Sequence, residues 1–359
     1  MNLNNYFSLY ASCIPVNGAV NYVICDLDRG KIQYIPYELF KILTDYKNLK
    51  LHEVLNNFEE ADSSIILEYF SFLVENELGF YTNSPHSFPE LDKVFHEPEI
   101  INNSIIEINT ESNIEDINLF LNQISDFGCK YLEIRIFSDL DIFILFNSLI
   151  DFSKSSIQNI TIHSVCSKSN FQTFLNLHES EPRISQCYLY IEEMLSDDLC
   201  SELRNSGIEV LNTQLSNLNC GVISQNYFSC KTSTYLESLS NNTCLNRKIS
   251  MDTSGNIKNC PSMANNFGNI RINSIQEILD NSEFHKLWKL KKDEIEVCKS
   301  CEFRYVCTDC RAFLINPEEI TSKPLKCGYD PYTGISLNWA DIVHNKLTFI
   351  KYQMFVNGQ

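Results

Sequence analysis

The sequence predicts an α/β protein: a partial (β/α) barrel or open parallel sheet, preceded by a winged-helix-like domain and followed by a cysteine-rich C-terminal region. Three observations predict it. From residue 101 to about 228, strand-like runs alternate with helical ones, the pattern of βαβ units. Before them, two β-prone runs around a glycine turn lead into about three short helical segments. From about Cys230 onward the alternation stops, and polar loops carry most of the clustered cysteines.

The first segment, residues 1–82, opens with YFSLYAS and AVNYVICDL. The second run is followed by Asp28-Arg29-Gly30 and then KIQYIPY, a turn ending in glycine between β-prone segments, so a hairpin is expected. ELFKIL, KLHEVLNNF and SSIILEYFSFLVENELGFYT follow; in the last, Ile66, Tyr69, Phe70, Leu73 and Val74 recur at helical spacing. Residues 83–100 hold three prolines and read as a linker. Residues 101–229 contain the strand-like runs SIIEIN, YLEIRIF, NITIHSV, CYLYIEE, IEVLNT and GVISQNYF, separated by segments such as IEDINLFLNQISDFG. Five to six strands are too few for an eight-fold barrel. Residues 230–335 form the cysteine-rich domain, and 336–359 a tail or helix.

A net charge of −18, with 46 acidic against 28 basic residues, argues against nucleic acid as a partner, because phosphate neutralisation needs lysine and arginine. No apolar run is long enough to span a bilayer, so no membrane partner is expected. The start, MNLNNYFSLYASC, lacks a basic stretch followed by an apolar run, and a cytoplasmic location is expected. No Walker, G-x-S-x-G or G-x-G-x-x-G loop occurs. The histidines stand apart from one another, and each reads as a satisfied or exposed side chain.

Fifteen cysteines are the sharpest feature. Eight are scattered: Cys13, Cys25, Cys129, Cys166, Cys187, Cys200, Cys220 and Cys230. They read as small buried hydrophobes. The other seven follow a pattern: Cys244, ten residues, Gly255, four residues, Cys260; then Cys298-x2-Cys301-x5-Cys307-x2-Cys310; then Cys327. Closely spaced thiolates reach one centre from one tight turn, and iron–sulfur clusters take four of them. Asp252-Thr253-Ser254-Gly255-Asn256 is a turn sequence that brings Cys260 back toward Cys244. Zinc is the alternative, held by Cys298, Cys301, Cys307 and Cys310. Zinc ribbons usually separate their pairs by a longer loop, and one zinc leaves Cys244, Cys260 and Cys327 without a role.

This pattern resembles the SPASM domain, and EVCKSCEFRYVCTDCRAF with KPLKCGYDPYTG is most similar to the SPASM-domain peptide maturases of grasp-with-spasm systems. The resemblance covers about residues 230–335. It departs in having two residues, not three, between Cys307 and Cys310. It implies one [4Fe-4S] cluster on Cys298, Cys301, Cys307 and Cys327. A second is implied on Cys244, Cys260 and Cys310, with Cys230 or Cys220 as fourth ligand or an open site. It further implies a ribosomally made precursor peptide and an ATP-grasp ligase as partners.

Radical S-adenosylmethionine enzymes carry C-x3-C-x2-C in the loop after the first barrel strand. Here that loop, Thr110-Glu111-Ser112-Asn113, has no cysteine, so S-adenosylmethionine chemistry is not expected and the α/β region reads as a scaffold without its cluster. The N-terminal segment resembles leader-peptide recognition domains, which add an extended peptide to a strand edge. The expected receiving residues are Val20, Tyr22 and Ile24 on the strand, with Tyr69 and Leu73 on the helix. Whether the protein catalyses a step itself is open at this stage, with an enzyme using an open-sited cluster and a structural zinc scaffold as alternatives.

Overall fold

The structure, a computed structural model, describes residues 2–192 and 195–337. Of the expected tail or helix at 336–359, residues 338–359 lie outside the described residues. The chain folds as two compact units that interleave along the sequence. The first takes the chain through His96, then Val222–Thr243 and the part from Leu290 on; the second takes Glu97–Gly221 and Cys244–Lys289.

The first unit begins with β1 (Tyr6–Leu9), β2 (Cys13–Asn17), β3 (Tyr22–Asp26) and β4 (Lys31–Ile35). Helices α1 (Tyr37–Asp45), α2 (Leu51–Leu55) and α3 (Ser63–Glu75) follow, and β5 (Gly79–Thr82) returns to pair antiparallel with β1. The expected hairpin forms between β3 and β4, with Gly30 at φ 67°. Strand β2 was not legible, because Pro15 interrupts it; proline is tolerated on an edge strand, which β2 is. Leu39, Ile42, Leu51, Ile66, Phe70 and Leu73 bury one face of each helix against Cys13 and Ile24 of the sheet. A hairpin followed by three helices is thus present, as the sequence predicts, within a unit that also takes in later segments of the chain.

The second unit is built on a seven-stranded sheet. Its strands are β6 (Asn103–Ile108), β7 (Tyr131–Ile136), β8 (Asn159–Val165), β9 (Ile184–Tyr190), β10 (Ile208–Leu211), β11 (Lys248–Met251) and β12 (Ile257–Lys258). They stand in the order β10-β9-β8-β7-β6-β11-β12, and all neighbours are parallel except β11 and β12. Helices α4 (Ile114–Asp126), α5 (Ile142–Ser148), α6 (Phe171–Ser180) and α7 (Asp197–Asn205) make the crossovers. Asn113 and Asp141 cap α4 and α5 by accepting two backbone N–H bonds each. The α/β class holds, as an open sheet. The run GVISQNYF, expected as a strand, is a loop with one short helical turn, and only Ile223 pairs, with Cys327.

The sheet has two unlike faces. Register places Ile106, Ile134, Ile162 and Leu189 on one face, each almost wholly buried. The same register places Glu107 beside Arg135, Arg135 beside His163, and Glu133 beside Thr161 on the other. Helices α8 (Thr232–Ser238), in the first unit, and α9 (Ile275–Asp280) and α10 (Ser282–His285), in the second, complete the helical elements, and β13 (Tyr329–Asp330) pairs with β14 (Ile335–Ser336). Among the described residues no helix is long and apolar enough to cross a membrane.

Candidate metal centre

Four cysteines of the first unit line one pocket: Cys298, Cys301, Cys307 and Cys327, with Lys292, Phe303 and Tyr329 among its walls. Tight turns place them. Val297 sits at φ 67°, a left-handed conformation that a β-branched residue rarely adopts, and it turns the chain into the short helical turn Cys298–Ser300. Cys301 N–H then donates to Cys298 O at 2.9 Å, and Cys307 N–H to Phe303 O at 3.0 Å. The Thr243 hydroxyl donates to Cys307 O at 3.0 Å. Cys327 arrives by its bridge to Ile223, whose N–H donates to Lys326 O at 3.2 Å.

Burial pushes the Cys298 thiol up to about 11 and the Cys307 thiol up to about 12, in both cases against the lowering effect of Lys292. Burial also raises Cys301. Buried thiols of this kind stay protonated and inert until a metal displaces the proton, so the donor set suits a centre that binds thiolates. No group of three or more histidine, cysteine, aspartate or glutamate side chains is placed to hold a single metal ion among the described residues. A tetrahedral ion needs every sulfur about 2.3 Å from one point, whereas a cluster takes each thiolate on a different iron.

The loop is also seated on the N-terminal hairpin of the same unit. Ala19 N–H donates to Ser300 O at 2.8 Å, and Arg304 reaches Asn17 Oδ1 at 3.1 Å as well as Asn17 O. Glu302, fully buried, accepts from the Tyr329 hydroxyl. A Cβ on Gly18 would stand 2.6 Å from Glu302 Oε2, so the β2–β3 turn needs glycine for this approach.

In the second unit the turn at Asp252–Asn256 forms as its residues predict. Gly255, at φ 83°, donates its N–H to Asp252 O at 2.9 Å, and β12 folds back on β11. Cys244 stands just before β11 and Cys260 just after β12. Between them Lys248 donates to Cys244 Sγ at 3.6 Å. Burial alone disfavours its charge, but Cys244, Cys260 and Cys220 together raise its pKa above the ordinary value. Burial lifts Cys260 to about 11 while Lys248 pulls it down. Cys220 therefore shares electrostatic surroundings with Cys244 and Cys260.

Cys230 does not sit in that group. It belongs to the first unit, where it is buried beside Cys25, with its thiol 3.4 Å from Asp26 O and 3.3 Å from Lys31 O. Cys310 is also in the first unit and buried. The expected peptide-receiving residues are placed differently from the reading of the sequence. Tyr22 and Ile24 lie on β3, which pairs with β2 on one side and β4 on the other, so strand addition has no edge there. Val20 lies outside the strand, exposed in the β2–β3 turn. Leu73 is fully buried in the helical core and Tyr69 packs against it, which removes Leu73 from any docking surface.

Among the described residues no strand pairs with the outer edge of β4, where the Tyr34 carbonyl accepts from Gln33 Nε2 at 2.9 Å. Gly18 N–H donates to Asn21 O and Leu27 N–H to Ser12 O, which sets the parity of the ladder. Tyr22, Ile24 and Asp26 then face their partners Ile35, Gln33 and Lys31, and Ile32 and Tyr34 turn their main-chain groups outward. The opposite edge, β2, is blocked. Pro15 has no N–H, Cys13 N–H goes to Tyr10 O, and Asn17 O accepts from Arg304.

Sequence reasoning also missed the polar face of the large sheet. Arg135 Nε donates to Glu133 at 2.6 Å; His163 stacks on Tyr188 with centroids 4.7 Å apart, and its Nδ1 is 3.1 Å from the Tyr190 hydroxyl. Burial pushes the Glu107 carboxyl up to about 7, with Arg135 opposing. The signal was present in SIIEI and YLEIRI, where charged residues occupy alternate positions of otherwise apolar strands.

Two comparisons with known proteins bear on this site. The model of the SPASM iron–sulfur cluster-binding domain matches residues 244–302. The crystal structure of Streptococcus suis SuiB bound to S-adenosylmethionine aligns over 89% of this chain and 98% of its own, at 11% identity and a TM-score of 0.37. A second Streptococcus suis SuiB structure aligns over 90% of this chain and 98% of its own, at 11% identity and a TM-score of 0.35. No curated protein matches the chain in sequence.

Proposed function

We propose that this chain is an iron–sulfur protein that matures a ribosomally made precursor peptide, binding the peptide at β4 beside a cluster on Cys298, Cys301, Cys307 and Cys327. The observation that carries the reading is the convergence of those four thiols on one pocket. The match to an iron–sulfur cluster-binding domain supports it. The same unit offers an open strand edge. The Tyr34 ring packs edge-on against Phe303, centroids 6.2 Å apart, and Phe303 lines the thiol pocket. A peptide added at Ile32 and Tyr34 gains main-chain hydrogen bonds and runs beside that wall.

When bound, the cluster supplies electron-transfer or Lewis-acid chemistry. The chain's own residues hold it and shield it: burial excludes water, Phe303 and Phe228 close the wall, and Thr243 and Ser300 fix the loop's backbone. The loop after β6 carries no cysteine, so the reading assigns no S-adenosylmethionine cleavage to this chain. Bond formation is assigned to a separate ATP-grasp ligase, and the protein to the cytoplasm. A second reading, an enzyme with an open-sited cluster, is favoured by one observation: Lys248, which donates to Cys244 Sγ at 3.6 Å, also feels the charges of Cys260 and Cys220.

The test has two arms. Anaerobic purification followed by iron and sulfide analysis is expected to give a brown protein with four irons per occupied site, and a colourless zinc protein overturns the reading. Binding of a fluorescently labelled peptide translated from a short open reading frame adjacent to the gene, once one is identified, is then measured by anisotropy. Ile32→Pro, which removes an outward N–H, is expected to weaken binding at least about tenfold with iron content unchanged. Unchanged affinity rejects β4 as the docking edge.

A further inference from the structure

The four-thiol pocket contains a charge that its cysteines alone do not explain. Lys292 lines the pocket and is 4% exposed. Its Nζ is 3.5 Å from Asp309 Oδ1, an ion pair without hydrogen-bond geometry, and Nζ makes no hydrogen bond. A lysine ammonium has three donors, and none of them is spent on a hydrogen bond. Asp309 is fully buried and held hard. Its Oδ2 accepts from Asn242 at 2.6 Å, and Arg311 stands 2.7 Å from Oδ1. Arg311 in turn donates to Ile320 O at 3.1 Å and Ser322 O at 2.8 Å. The buried Asp309 carboxylate 3.5 Å away is the counter-charge that goes with a buried ammonium.

We propose that Lys292 is the positioning residue that sets the reduction potential of a cluster held by Cys298, Cys301, Cys307 and Cys327, presenting its ammonium to the sulfurs of Cys298 and Cys307. The inference rests on the cluster reading above. The physics is electrostatic. When one electron from an external one-electron donor enters the cluster, the site gains one negative charge and no bond breaks. A fixed cation nearby stabilises that reduced form more than the oxidised one, and hydrogen bonds to the sulfurs act in the same direction. Asp309 keeps the ammonium in place but offsets part of its field.

The experiment uses the full chain, purified anaerobically, with iron and sulfide measured first and an electron-paramagnetic-resonance redox titration second. The signal followed is the one that Cys307→Ser removes. Lys292→Gln is expected to lower the reduced-to-oxidised ratio about tenfold at a fixed potential, about 59 mV for a one-electron couple. Lys292→Arg, which keeps the charge, is expected to titrate with the wild type. If Lys292→Gln fails to retain iron, Lys292→Met, which keeps the length of the side chain without its charge, carries the test and is expected to shift the midpoint the same way. A midpoint unmoved by the neutral variant with iron intact, or lowered equally by Lys292→Arg, overturns the assignment of Lys292 alone. A wild-type chain without iron and sulfide overturns the cluster reading itself.

Discussion

The two thiol groups are built by different means. In the first unit, three cysteines come from ten consecutive residues, Cys298 to Cys307, shaped by turns, and Cys327 closes the set through one bridge to Ile223. In the second unit, Cys220, Cys244 and Cys260 lie far apart in sequence: Cys244 precedes β11 and Cys260 follows β12, while Cys220 follows β10 at the opposite edge of the sheet, in a loop whose Asn217 O accepts from the Ser262 hydroxyl at 3.1 Å. Each group has a lysine, buried in the case of Lys292 and half-buried in the case of Lys248. Lys248 donates directly to Cys244 Sγ, whereas Lys292 is tethered by Asp309 and keeps its donors free of hydrogen bonds. One site is closed locally and its cation is held by a carboxylate. The other draws on distant segments, and its cation is already engaged by the Cys244 sulfur.

That contrast predicts independence. Cys307→Ser is expected to abolish the cluster of the first group while the second keeps its iron, and Cys260→Ser to do the reverse. Iron and sulfide per chain, together with the spectroscopic signals of each variant, measure it. If either substitution empties both groups, the two are one cooperative assembly. The next effect separates the candidate fourth ligands. Cys220→Ser is expected to lower iron in the second group by at least about half, because Cys220 shares the field around Lys248 with Cys244 and Cys260. Cys230→Ser is expected to leave iron unchanged and to lower stability by about 1 kcal/mol, as a buried thiol hydrogen-bonded to Asp26 O and Lys31 O is replaced. Equal iron loss in both variants erases the distinction.

The same contrast explains what the sequence revealed. The first group was legible because its spacing is local: C-x2-C-x5-C states a turn geometry whatever surrounds it. The turn at Gly255 was legible for the same reason. Cys220 was not singled out from Cys230, because nothing local distinguishes them; only the sheet order and the division into units do. The α/β class followed from periodicity, but β11 and β12 joining the sheet beside β6 did not, since both lie past the end of the alternation. The edge strand of the hairpin was misplaced by one. A hairpin can be read from its turn, yet which of its strands is central depends on β2, which Pro15 disguises. The polar sheet face needed register, which places Glu107 beside Arg135.

That face supplies the last way to sharpen the comparison. The buried carboxylate of the first group, Asp309, is paired with both Arg311 and Lys292. Glu107, on the second unit's sheet, is 4% exposed, has no ion pair among the described residues, and its Oε1 has no hydrogen-bond partner. Burial raises its carboxyl from 4.5 to about 7. The folded state therefore binds a proton that the unfolded chain has already released between those two values, and stability falls as pH rises through that window. The fall attributable to Glu107 is about 3 kcal/mol, complete above pH 7. Glu107→Gln removes the titrating group, so denaturant unfolding from pH 4.5 to 8 is expected to lose this slope, and the variant is expected to be more stable than the wild type at pH 8. If the variant keeps the slope, the neutral-pH titration belongs to another group, and the polar face is as fully paired as the buried network of the first unit.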